Sequence, residues 1–301
     1  MTVSAKPTTK VAALGSGTPL VWMDGEWYDR STATVSVYDH GLLYGDGVFE
    51  GTRVYGGKIF RLAEHLERLY DSAKAIWLTI PIDREEMTAI TEEAVRRSGI
   101  AEAYIRHIVT RGVGDLGLDP RKCSKPTTLI IVDTIKLFPE HLYETGLNVI
   151  TAGTPIPQRE SLSPRVKSLN YLAHILAKIE GINAGADEVL MLDCNGVVAE
   201  GSGQNIFVVK NGRLKTPAPY AGILKGVTRD AIIELATAAG YHVEETMLNR
   251  YDVYTADEAF FTGTASELVT IRQLDGRLIG SGKAGPVTRD LRSRFQALVR
   301  S

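Results

Sequence analysis

Alternating and helical patterns of apolar residues predict mixed helices and strands in the first half of the chain. LVWMDGEWYD predicts two short strands around an Asp-Gly turn, ATVSVYDH also alternates, and AYIRHIVTRGV and TTLIIVDTI are typical of further strands. Two helices are predicted between them. One covers DREEMTAITEEAVRRSG, from near Asp83 to Gly99, and the other has a single apolar face made by Leu62, Leu66, Leu69, Ala73 and Ile76.

The second half of the chain predicts three helices and several strand pairs. One helix covers about residues 170–182 and is closed by Gly181 or Gly185, and two others cover GVTRDAIIELATAAG and GPVTRDLRSRFQALV. LNVITAG predicts a strand. Strand, turn and strand are predicted in EVLMLDCNGVVAEG, NIFVVKNGRLKTP and AFFTGTASELVTIRQLDGRLIG, each with glycine at a turn.

These elements predict an α+β fold in two domains, with an antiparallel sheet and helices in the first. Residues 1–18 mix Lys, Pro, Thr, Gly and Ser without periodicity and are predicted to form a flexible arm. A small domain is predicted over residues 19–135, a connector over residues 136–146 and a large domain over residues 147–301.

Composition narrows the classes of function. The 301 residues carry a formal net charge of -2 with no basic run, which argues against a nucleic-acid partner. No stretch approaches the roughly 18 apolar residues that a membrane span needs, so a soluble, cytoplasmic protein is predicted. Cys123 and Cys194 lie far apart without CxxC spacing, so we expect two buried thiols rather than a disulfide or a metal site.

Lys167, in PRVKSLNYLAHILAKIE, is the first candidate for chemistry because it lies where a loop meets an amphipathic helix. Apolar or aromatic residues, Leu169, Tyr171 and Leu172, surround it in sequence. Removal of water from a lysine lowers its pKa and makes the amine a usable nucleophile toward an aldehyde. The alternative is an ordinary solvated lysine.

Glu200 ends an apolar strand in VVAEGSGQNIF and is followed by a Gly-Ser-Gly turn. A carboxylate in such surroundings needs a partner. A structural salt bridge or a cap on the turn would provide one. The functional alternative is an ion pair with a protonated pyridine nitrogen, which keeps the ring cationic and able to accept electrons from a carbanion.

Gly226, Val227 and Thr228, in GILKGVTRDAI, lead into a predicted helix. Backbone N–H groups and the helix dipole at such a start favour the binding of a phosphate. Many helices begin with Gly-X-Thr, so this turn does not define a phosphate site by itself.

The stretch from Glu200 to Arg229 resembles the class IV aminotransferase signature in the order and spacing of its residues. The matching positions are Glu200-Gly201-Ser202, Asn205-Ile206-Phe207, Leu214, Thr216 and Leu224 to Arg229. The resemblance covers the chain from about residue 20 onward. It implies a fold type IV architecture, with a smaller α/β N-terminal domain and a larger, β-barrel-like C-terminal domain with helices, and it implies pyridoxal 5'-phosphate as the cofactor.

The resemblance also implies a role for each matching residue. Lys167 corresponds to the lysine that forms the internal aldimine and moves the proton, and Glu200 to the partner of the pyridine nitrogen. Tyr171 resembles the tyrosine that hydrogen-bonds the phenolic oxygen of the cofactor. Arg68 would otherwise be an exposed helix residue paired with Glu64. Contacts with the phosphate or the ring are implied for Arg68, Leu224, Gly226, Val227, Thr228 and Thr264.

The first half resembles the branched-chain amino acid aminotransferases through LLYGDGVFEGTRVY, AYIRHIV and RGVGDLGLDP. Arg106 would meet the distal carboxylate of glutamate, and Phe49 would contact an aliphatic side chain. Tyr44 and Leu118 would reach the site of a neighbouring subunit, which implies a homodimer or a larger homo-oligomer. The implied substrate pocket contains Tyr44, Phe49, Gly51, Arg53, Arg106, Leu118, Thr264 and Ala265.

The implied reaction is transamination of leucine, isoleucine or valine with 2-oxoglutarate, by a ping-pong route through pyridoxamine phosphate. D-Amino-acid aminotransferases, (R)-amine transaminases and aminodeoxychorismate lyases share Lys167 and Glu200 and are alternatives. The D-specific group differs in having an altered FEGxR block and a histidine near the loop that reads GDLGLDP here. A binding protein without turnover is a further alternative. Thr52 and Ser266 depart from the usual aliphatic residue and alanine, and we expect them near the pocket, where they would shift specificity.

Overall fold

A computed structural model describes residues 17–301 of the chain, so most of the predicted N-terminal arm lies outside the described residues. The chain forms two compact units, of which the first ends at Ile135 and the second begins at Lys136. No helix within residues 17–301 is both long and apolar enough to cross a membrane. Nor do these residues contain a cluster of histidine, cysteine and carboxylate side chains arranged to hold a metal ion.

The first unit contains an antiparallel sheet and three α-helices in its described part. The strands are β1 (Leu20–Met23), β2 (Glu26–Asp29), β3 (Gly47–Tyr55), β4 (Lys58–Ile59), β5 (Tyr104–Thr110) and β6 (Thr127–Asp133). The helices are α1 (His40–Tyr44), α2 (Leu62–Ala75) and α3 (Arg84–Ser98).

The sheet of the first unit has the order β2-β1-β6-β5-β3-β4, and every pairing in it is antiparallel. Asp24 and Gly25 join the first two strands with φ values of 50° and 99°, as a tight hairpin turn requires. β3 and β5 pair from Gly47 opposite Thr110 to Arg53 opposite Tyr104. The predicted antiparallel sheet with helices is therefore confirmed.

The helices α2 and α3 follow the sequence signals closely. The Asp83 side chain caps α3 by accepting a hydrogen bond from the backbone N–H of Glu86 (2.8 Å), and Gly99 ends it with a φ of 64°. Leu66 and Leu69 of α2 are buried on the face that packs against β3. Both predicted helices are confirmed.

The alternating segment ATVSVYDH does not form a strand. Val35 and Val37 are exposed, so the alternation has no buried face to support it. Asp39 instead caps α1 by accepting a hydrogen bond from the backbone N–H of Gly41 (2.8 Å). A helix of five residues is too short to show a periodic pattern, which explains why the sequence did not predict it.

His107 is a fully buried histidine of β5. Its Nε2–H donates to Thr91 Oγ1 (2.9 Å), because the Thr91 hydroxyl already donates to the carbonyl of Met87 (2.7 Å). Burial lowers the pKa of His107 to about 4, although the Glu50 carboxylate opposes this shift. The imidazole is therefore neutral at neutral pH.

We expect a His107→Gln variant to lose less stability on acidification than the wild type. The unfolded chain binds a proton at His107 below about pH 6.5, whereas the folded chain resists it down to about 4. The unfolding free energy of the wild type therefore falls as the pH drops through this window, by about 2 kcal/mol at about pH 5. Urea unfolding of both proteins at about pH 7.5 and about pH 5 measures the difference. Equal losses in both proteins would contradict the lowered pKa.

The second unit combines a larger sheet with five α-helices in residues 136–301. Its strands are β7 (Leu147–Thr151), β8 (Glu188–Leu192), β9 (Val198–Gly201), β10 (Asn205–Lys210), β11 (Arg213–Pro217), β12 (His242–Thr246), β13 (Glu258–Gly263), β14 (Glu267–Leu274) and β15 (Arg277–Leu278). Its helices are α4 (Glu140–Thr145), α5 (Leu172–Asn183), α6 (Val227–Ala238), α7 (Arg250–Tyr254) and α8 (Pro286–Arg300). The predicted helices correspond to α5, α6 and α8 and are confirmed.

Six strands of the second unit close into a ring. The pairs run β10–β13, β13–β14, β14–β7, β7–β8, β8–β9 and β9–β10, and the last of them joins Asn205 to Glu200. Alternate residues of the strands face opposite sides, so Ile206 and Val208 join one apolar core while Phe207 stacks on Phe260 (5.1 Å between centroids). The predicted β-barrel-like domain is confirmed.

The two cysteines are not the buried thiols that the sequence predicts. Cys194 lies in the turn between β8 and β9 and is exposed, and Cys123 is half-buried. Burial raises the pKa of the Cys123 thiol. The prediction was wrong because frequent burial of cysteine is a property of the residue type, whereas the Asn-Gly turn beside Cys194 determines its position.

Glycine serves two purposes near the end of α5. Gly185, with a φ of 68°, follows the helix and lets the chain turn. Gly181 instead lies buried within α5, where a Cβ would come within 2.7 Å of Val189 Cγ1 on β8. Of the two predicted stop signals, Gly185 is the one that marks the helix end.

Candidate active site

Lys167 lies in the loop that leads into α5, and its amine contacts Tyr171. Lys167 Nζ donates to the Tyr171 hydroxyl (3.0 Å) and lies 5.3 Å from the centroid of its ring. Lys167 lies before the helix and Tyr171 is its N-cap residue, so the path of the loop brings the two side chains together. Leu172, which the sequence suggested as an apolar neighbour of the amine, is 66% exposed. The contact that the structure shows for the amine is with Tyr171.

Glu200 lies at the point where the ring of strands closes, and its carboxylate is buried. Its Oε2 accepts hydrogen bonds from Asn205 Nδ2 (3.1 Å) and from the backbone N–H of Leu224 (3.1 Å). Asn205 also donates to the carbonyl of Leu224 (2.9 Å), so it fixes both neighbours. Within the described residues no donor lies within hydrogen-bond distance of the second oxygen, Oε1.

His174 is a site residue that the sequence did not predict. Its ring stacks on Tyr171 at 4.5 Å between centroids, and its Nε2 lies 3.9 Å from Glu200 Oε1. Its buried Nδ1 has no hydrogen-bond partner in the part of the chain that the structure describes. The signal available in the sequence was its helical position three residues after Tyr171. His174 thus connects the surroundings of Lys167 to those of Glu200.

The start of α6 leaves its first N–H groups without a side-chain cap, because the N-cap residue is Gly226. Val227 and Thr228 in the first turn are buried. A Cβ on Gly226 would overlap with Asn205 Oδ1, so the residue that fixes Glu200 requires glycine here. A helix start of this kind is suited to an anion.

Thr264 and Ala265 lie in the turn between β13 and β14. Ser266, in the same turn, is fully buried, and its hydroxyl has no partner among residues 17–301. A Cβ on the preceding Gly263 would come within 2.9 Å of Ser266 Oγ. The turn therefore places small residues and backbone N–H groups close together.

One face of the first unit's sheet carries four residues that the sequence assigned to the substrate. Alternation on β3 places Phe49, Gly51 and Arg53 on this face, and Gly51 lies opposite Arg106 of β5. The Arg106 guanidinium lies over the Phe49 ring at 4.6 Å from its centroid. An arginine and an aromatic ring thus share one surface.

Tyr104 belongs to the same face and was not predicted. Its hydroxyl accepts a hydrogen bond from Arg106 Nη2 (3.3 Å), and a Cβ on Gly51 would overlap with it. Gly51 is therefore needed for the tyrosine to lie across the strand. The signal in the sequence was the two-residue spacing from Arg106, which puts both side chains on one side of β5.

Arg68 is bound to Glu50 rather than to Glu64. Its Nε donates to Glu50 Oε1 (2.5 Å) and its Nη2 to Glu50 Oε2 (2.9 Å), whereas Glu64 lies 3.8 Å from Arg61 Nε. The Arg68 side chain is 14% exposed. The i,i+4 pair that the helix spacing suggested is wrong, because a buried carboxylate on the neighbouring strand is the stronger partner.

Hydrogen bonds join Tyr44 to the loop that carries Leu118, within the first unit. The Tyr44 hydroxyl donates to the carbonyl of Leu116 (2.5 Å), and the His40 Nε2–H donates to that of Asp115 (2.7 Å). Leu118 itself is 79% exposed. Helix α1 thus holds the loop in one arrangement and leaves an apolar side chain at its tip.

The comparison with known families decides the assignment. The family model of class IV aminotransferases (Amino-transferase class IV) matches residues 47–274. The chain belongs to the class IV aminotransferase family. The match includes Lys167, Glu200 and the start of α6, and it also includes the β3 and β5 faces of the first unit.

Relatives of this class IV aminotransferase cover most of its length. A putative branched-chain-amino-acid aminotransferase of Methanocaldococcus jannaschii is 51% identical, over 92% of this chain and 95% of the relative. The branched-chain-amino-acid aminotransferase of Pseudomonas aeruginosa is 41% identical, over 93% and 92%. A crystal structure of the branched-chain amino acid aminotransferase of T.th. with pyridoxamine 5'-phosphate is 37% identical and has a TM-score of 0.90 over 95% of each chain. The expected fold type IV architecture is confirmed.

Thr52 is one of the two departures from the family pattern, and it lies within β3. Strand alternation places it on the face of β3 opposite to Phe49 and Gly51, where it is fully buried. Its hydroxyl has no partner within the described part of the chain. That Thr52 lies near the pocket stays a prediction, although its side chain does not share the face of Phe49 and Gly51.

Proposed function

We propose that this class IV aminotransferase transfers the amino group of leucine, isoleucine or valine to 2-oxoglutarate and uses pyridoxal 5'-phosphate as its cofactor. The observation that carries the proposal is the buried Glu200, whose Oε2 is saturated by two donors while Oε1 accepts none in the described residues, together with the amine of Lys167 beside Tyr171. Relatives that are named for this reaction cover most of the chain and support it.

The second unit offers a complementary group for each end of the cofactor. Oε1 of Glu200 suits a protonated pyridine nitrogen, which donates one hydrogen bond. Lys167 supplies the amine for the aldehyde carbon, and Tyr171 supplies a hydroxyl for the phenolic oxygen. The uncapped N–H groups at Val227 and Thr228 suit the phosphate, with Thr264 as a further ligand and Leu224 against the ring. Arg68, in the first unit, stays a phosphate ligand that only the family resemblance implies.

Bound pyridoxal phosphate supplies an electron sink that allows the C–H bond beside the amino group to ionise. Lys167 Nζ would take up the proton from the substrate's Cα and return it to C4′, the aldehyde carbon of the cofactor. The Tyr171 hydroxyl, 3.0 Å away, orients that amine. The Glu200 carboxylate would pair with the protonated pyridine nitrogen and hold the ring in place.

A substrate pocket on the face of β3 and β5 suits both partners of the reaction. Phe49 offers an aromatic surface to an aliphatic side chain, and the guanidinium of Arg106 above it attracts the distal carboxylate of glutamate. The Tyr44 hydroxyl already donates to Leu116, so it contributes to the pocket mainly by holding the loop. We propose N–H groups near Thr264 and Ala265 as ligands of the α-carboxylate, and Gly51 and Arg53 as further residues of the substrate pocket.

A homodimer is the oligomeric state that we propose. Helix α5 presents an apolar face that includes Leu172 (66% exposed), Ile175 (53%) and Ile182 (64%). An apolar face of this kind is typical of a surface covered by another subunit. Leu116 and Leu118, in the loop that α1 holds by hydrogen bonds, are exposed as well, in agreement with a role in a neighbouring subunit's site. A location in the cytoplasm stays a prediction from the sequence.

A comparison of the reaction rates with L-leucine and with D-alanine tests the substrate class. We expect the absorbance of the bound cofactor to change with L-leucine at least about a hundredfold faster than with D-alanine, since the pocket is built for an aliphatic L-side chain. A preference for D-alanine or for an (R)-amine would instead support the D-amino-acid aminotransferase or (R)-amine transaminase alternative.

A Gly226→Ala variant is expected to bind pyridoxal phosphate at least about tenfold more weakly than the wild type. The added Cβ displaces Asn205, which releases one of the two hydrogen bonds that fix Glu200. Gly203→Ala is the matched control, because a Cβ there meets nothing within 4 Å. Titration of both apoproteins with the cofactor measures the effect. Equal affinities would contradict the role of Asn205 as the support of Glu200.

A further inference from the structure

The buried stripe of helix α5 determines where His174 lies. Ala177 and Gly181, three and seven positions after His174, are buried, and α5 packs against β8. Residues at this spacing share one face of a helix, so His174 lies on the side of α5 that faces the sheet. β8 pairs with β9, where Met191 lies opposite Glu200. The two small residues let α5 approach β8, and His174, near the start of the helix, reaches the carboxylate on the next strand.

The imidazole of His174 lies beside one oxygen of the buried Glu200 carboxylate. Nε2 lies 3.9 Å from Oε1, and the two side chains are 12% and 8% exposed. This distance exceeds that of a hydrogen bond, so the contact is electrostatic, and it is screened little because both groups are largely shielded from water. Oε1 accepts no hydrogen bond within residues 17–301, whereas Oε2 accepts two. His174 therefore lies beside the oxygen that is left for a ligand.

The surroundings of the imidazole determine which of its nitrogens carries the hydrogen. A carboxylate only accepts hydrogen bonds, so it favours a hydrogen on Nε2, the nitrogen that lies beside it. Nδ1 of His174 is buried and has no partner among the described residues. With the hydrogen on Nδ1, a lone pair would point at the Glu200 carboxylate and a buried N–H would stay unpaired, and both are unfavourable. The neutral ring therefore carries its hydrogen on Nε2.

Tyr171 holds the plane of the imidazole. The rings of Tyr171 and His174 stack at 4.5 Å between centroids, with 20° between their planes. Rotation of the imidazole away from Glu200 would lose this stacking. The Tyr171 hydroxyl also accepts a hydrogen bond from Lys167 Nζ (3.0 Å), so one aromatic ring supports both the amine and the histidine. The imidazole thus keeps a fixed direction relative to the carboxylate.

We propose that His174 is a positioning residue for Glu200: its Nε2–H stabilises the charge on Oε1 and holds this oxygen toward the ring nitrogen of the cofactor. A carboxylate oxygen has two lone pairs, so Oε1 can meet both the imidazole and the pyridine N–H. The proposal rests on the proposed function, in which Glu200 pairs with that nitrogen. The competing explanation is a histidine that only packs α5 against the sheet. The two differ in what happens to a cofactor that lacks the ring nitrogen.

Cofactor titrations of the full-length apoprotein separate these explanations. The two ligands are pyridoxal phosphate and 1-deazapyridoxal phosphate, in which a C–H group replaces the ring nitrogen. His174→Phe keeps a ring to stack on Tyr171 but removes both nitrogens. We expect it to weaken the binding of pyridoxal phosphate by about tenfold, the range for one lost interaction with a charged group, and to leave that of the deaza compound unchanged.

Three further variants sharpen the titration. His174→Gln retains an N–H group close to the position of Nε2, so it should restore most of the affinity for pyridoxal phosphate that His174→Phe loses. The double variant of His174→Phe with Glu200→Gln should bind like Glu200→Gln alone, because His174 acts through Glu200. His242→Phe, which replaces an exposed histidine on β12, is the control and should bind both compounds like the wild type.

Nitrogen-15 NMR of the wild-type apoprotein tests the contact itself, without any variant. We expect the hydrogen of His174 on Nε2, and a hydrogen on Nδ1 would overturn the proposal even if His174→Phe does not fold. A His174→Phe protein that keeps the wild-type affinity for pyridoxal phosphate, or that loses the deaza compound equally, overturns the positioning role as well. If the wild type itself fails to bind pyridoxal phosphate, it is the proposed function that fails.

Discussion

Replacement of Lys167 by alanine is expected to lower the rate of amino transfer from L-leucine by at least about 10⁴-fold. The change removes the amine that the Tyr171 hydroxyl holds at 3.0 Å, and with it both the covalent attachment of the cofactor and the group that carries the proton. No other amine occupies a comparable position beside Glu200 in the described contacts of the second unit. Steady-state rates with leucine and 2-oxoglutarate measure the loss.

The variant is to be compared with Lys283→Ala, which removes an exposed lysine of the same unit. That control should transaminate at the wild-type rate. Addition of a small primary amine should restore part of the activity of Lys167→Ala, since the lost proton carrier is then supplied from solution. A Lys167→Ala protein that transaminates as fast as the control would refute the assignment of this residue.

Replacement of Glu200 by glutamine is expected to lower kcat by about 10²- to 10³-fold, the range for the loss of one preorganised electrostatic contact. The amide keeps the shape of the side chain, and its oxygen still accepts from Asn205 and from the N–H of Leu224. It cannot stabilise a protonated pyridine nitrogen, so the ring becomes a poorer acceptor of electrons. The effect should therefore appear in kcat, with a much smaller change in KM.

Glu144→Gln supplies the matched control, because Glu144 is an exposed carboxylate on α4. We expect its kinetics to be unchanged. The absorbance spectrum of the bound cofactor provides a second measurement for Glu200→Gln, since loss of the pyridinium charge shifts it. Unchanged kcat and an unchanged spectrum together would show that Glu200 belongs to the sheet and not to the chemistry.

Much of the fold could be predicted because local signals and tertiary packing agree. Asp83 and Gly99 mark the ends of α3 through the hydrogen bond and the positive φ that such positions require. The segment ATVSVYDH failed because its alternation is not matched by a buried face. The closure of the ring through Glu200 and Asn205 was expected only from the family resemblance, because pairings between strands leave no local pattern.

The candidate site could be predicted where a residue carries its own motif, as Lys167 does. Its supporting residues have no such motif. Asn205 gains its role from a contact with Leu224, nineteen positions away, and Glu50 from a contact with Arg68, eighteen positions away. Sequence spacing on α2 instead suggested Glu64 as the partner of Arg68. These contacts depend on how a strand and a helix or loop pack, which no local pattern reports.

The identity of the lysine that holds the cofactor is the most direct test of this account. Borohydride reduction of the protein loaded with pyridoxal phosphate fixes the cofactor to the lysine to which it is bound, and peptide mapping by mass spectrometry then locates it. We expect one labelled peptide, which contains Lys167 in the sequence VKSLNYL. A label on a different lysine, or a protein that remains unlabelled, would contradict it.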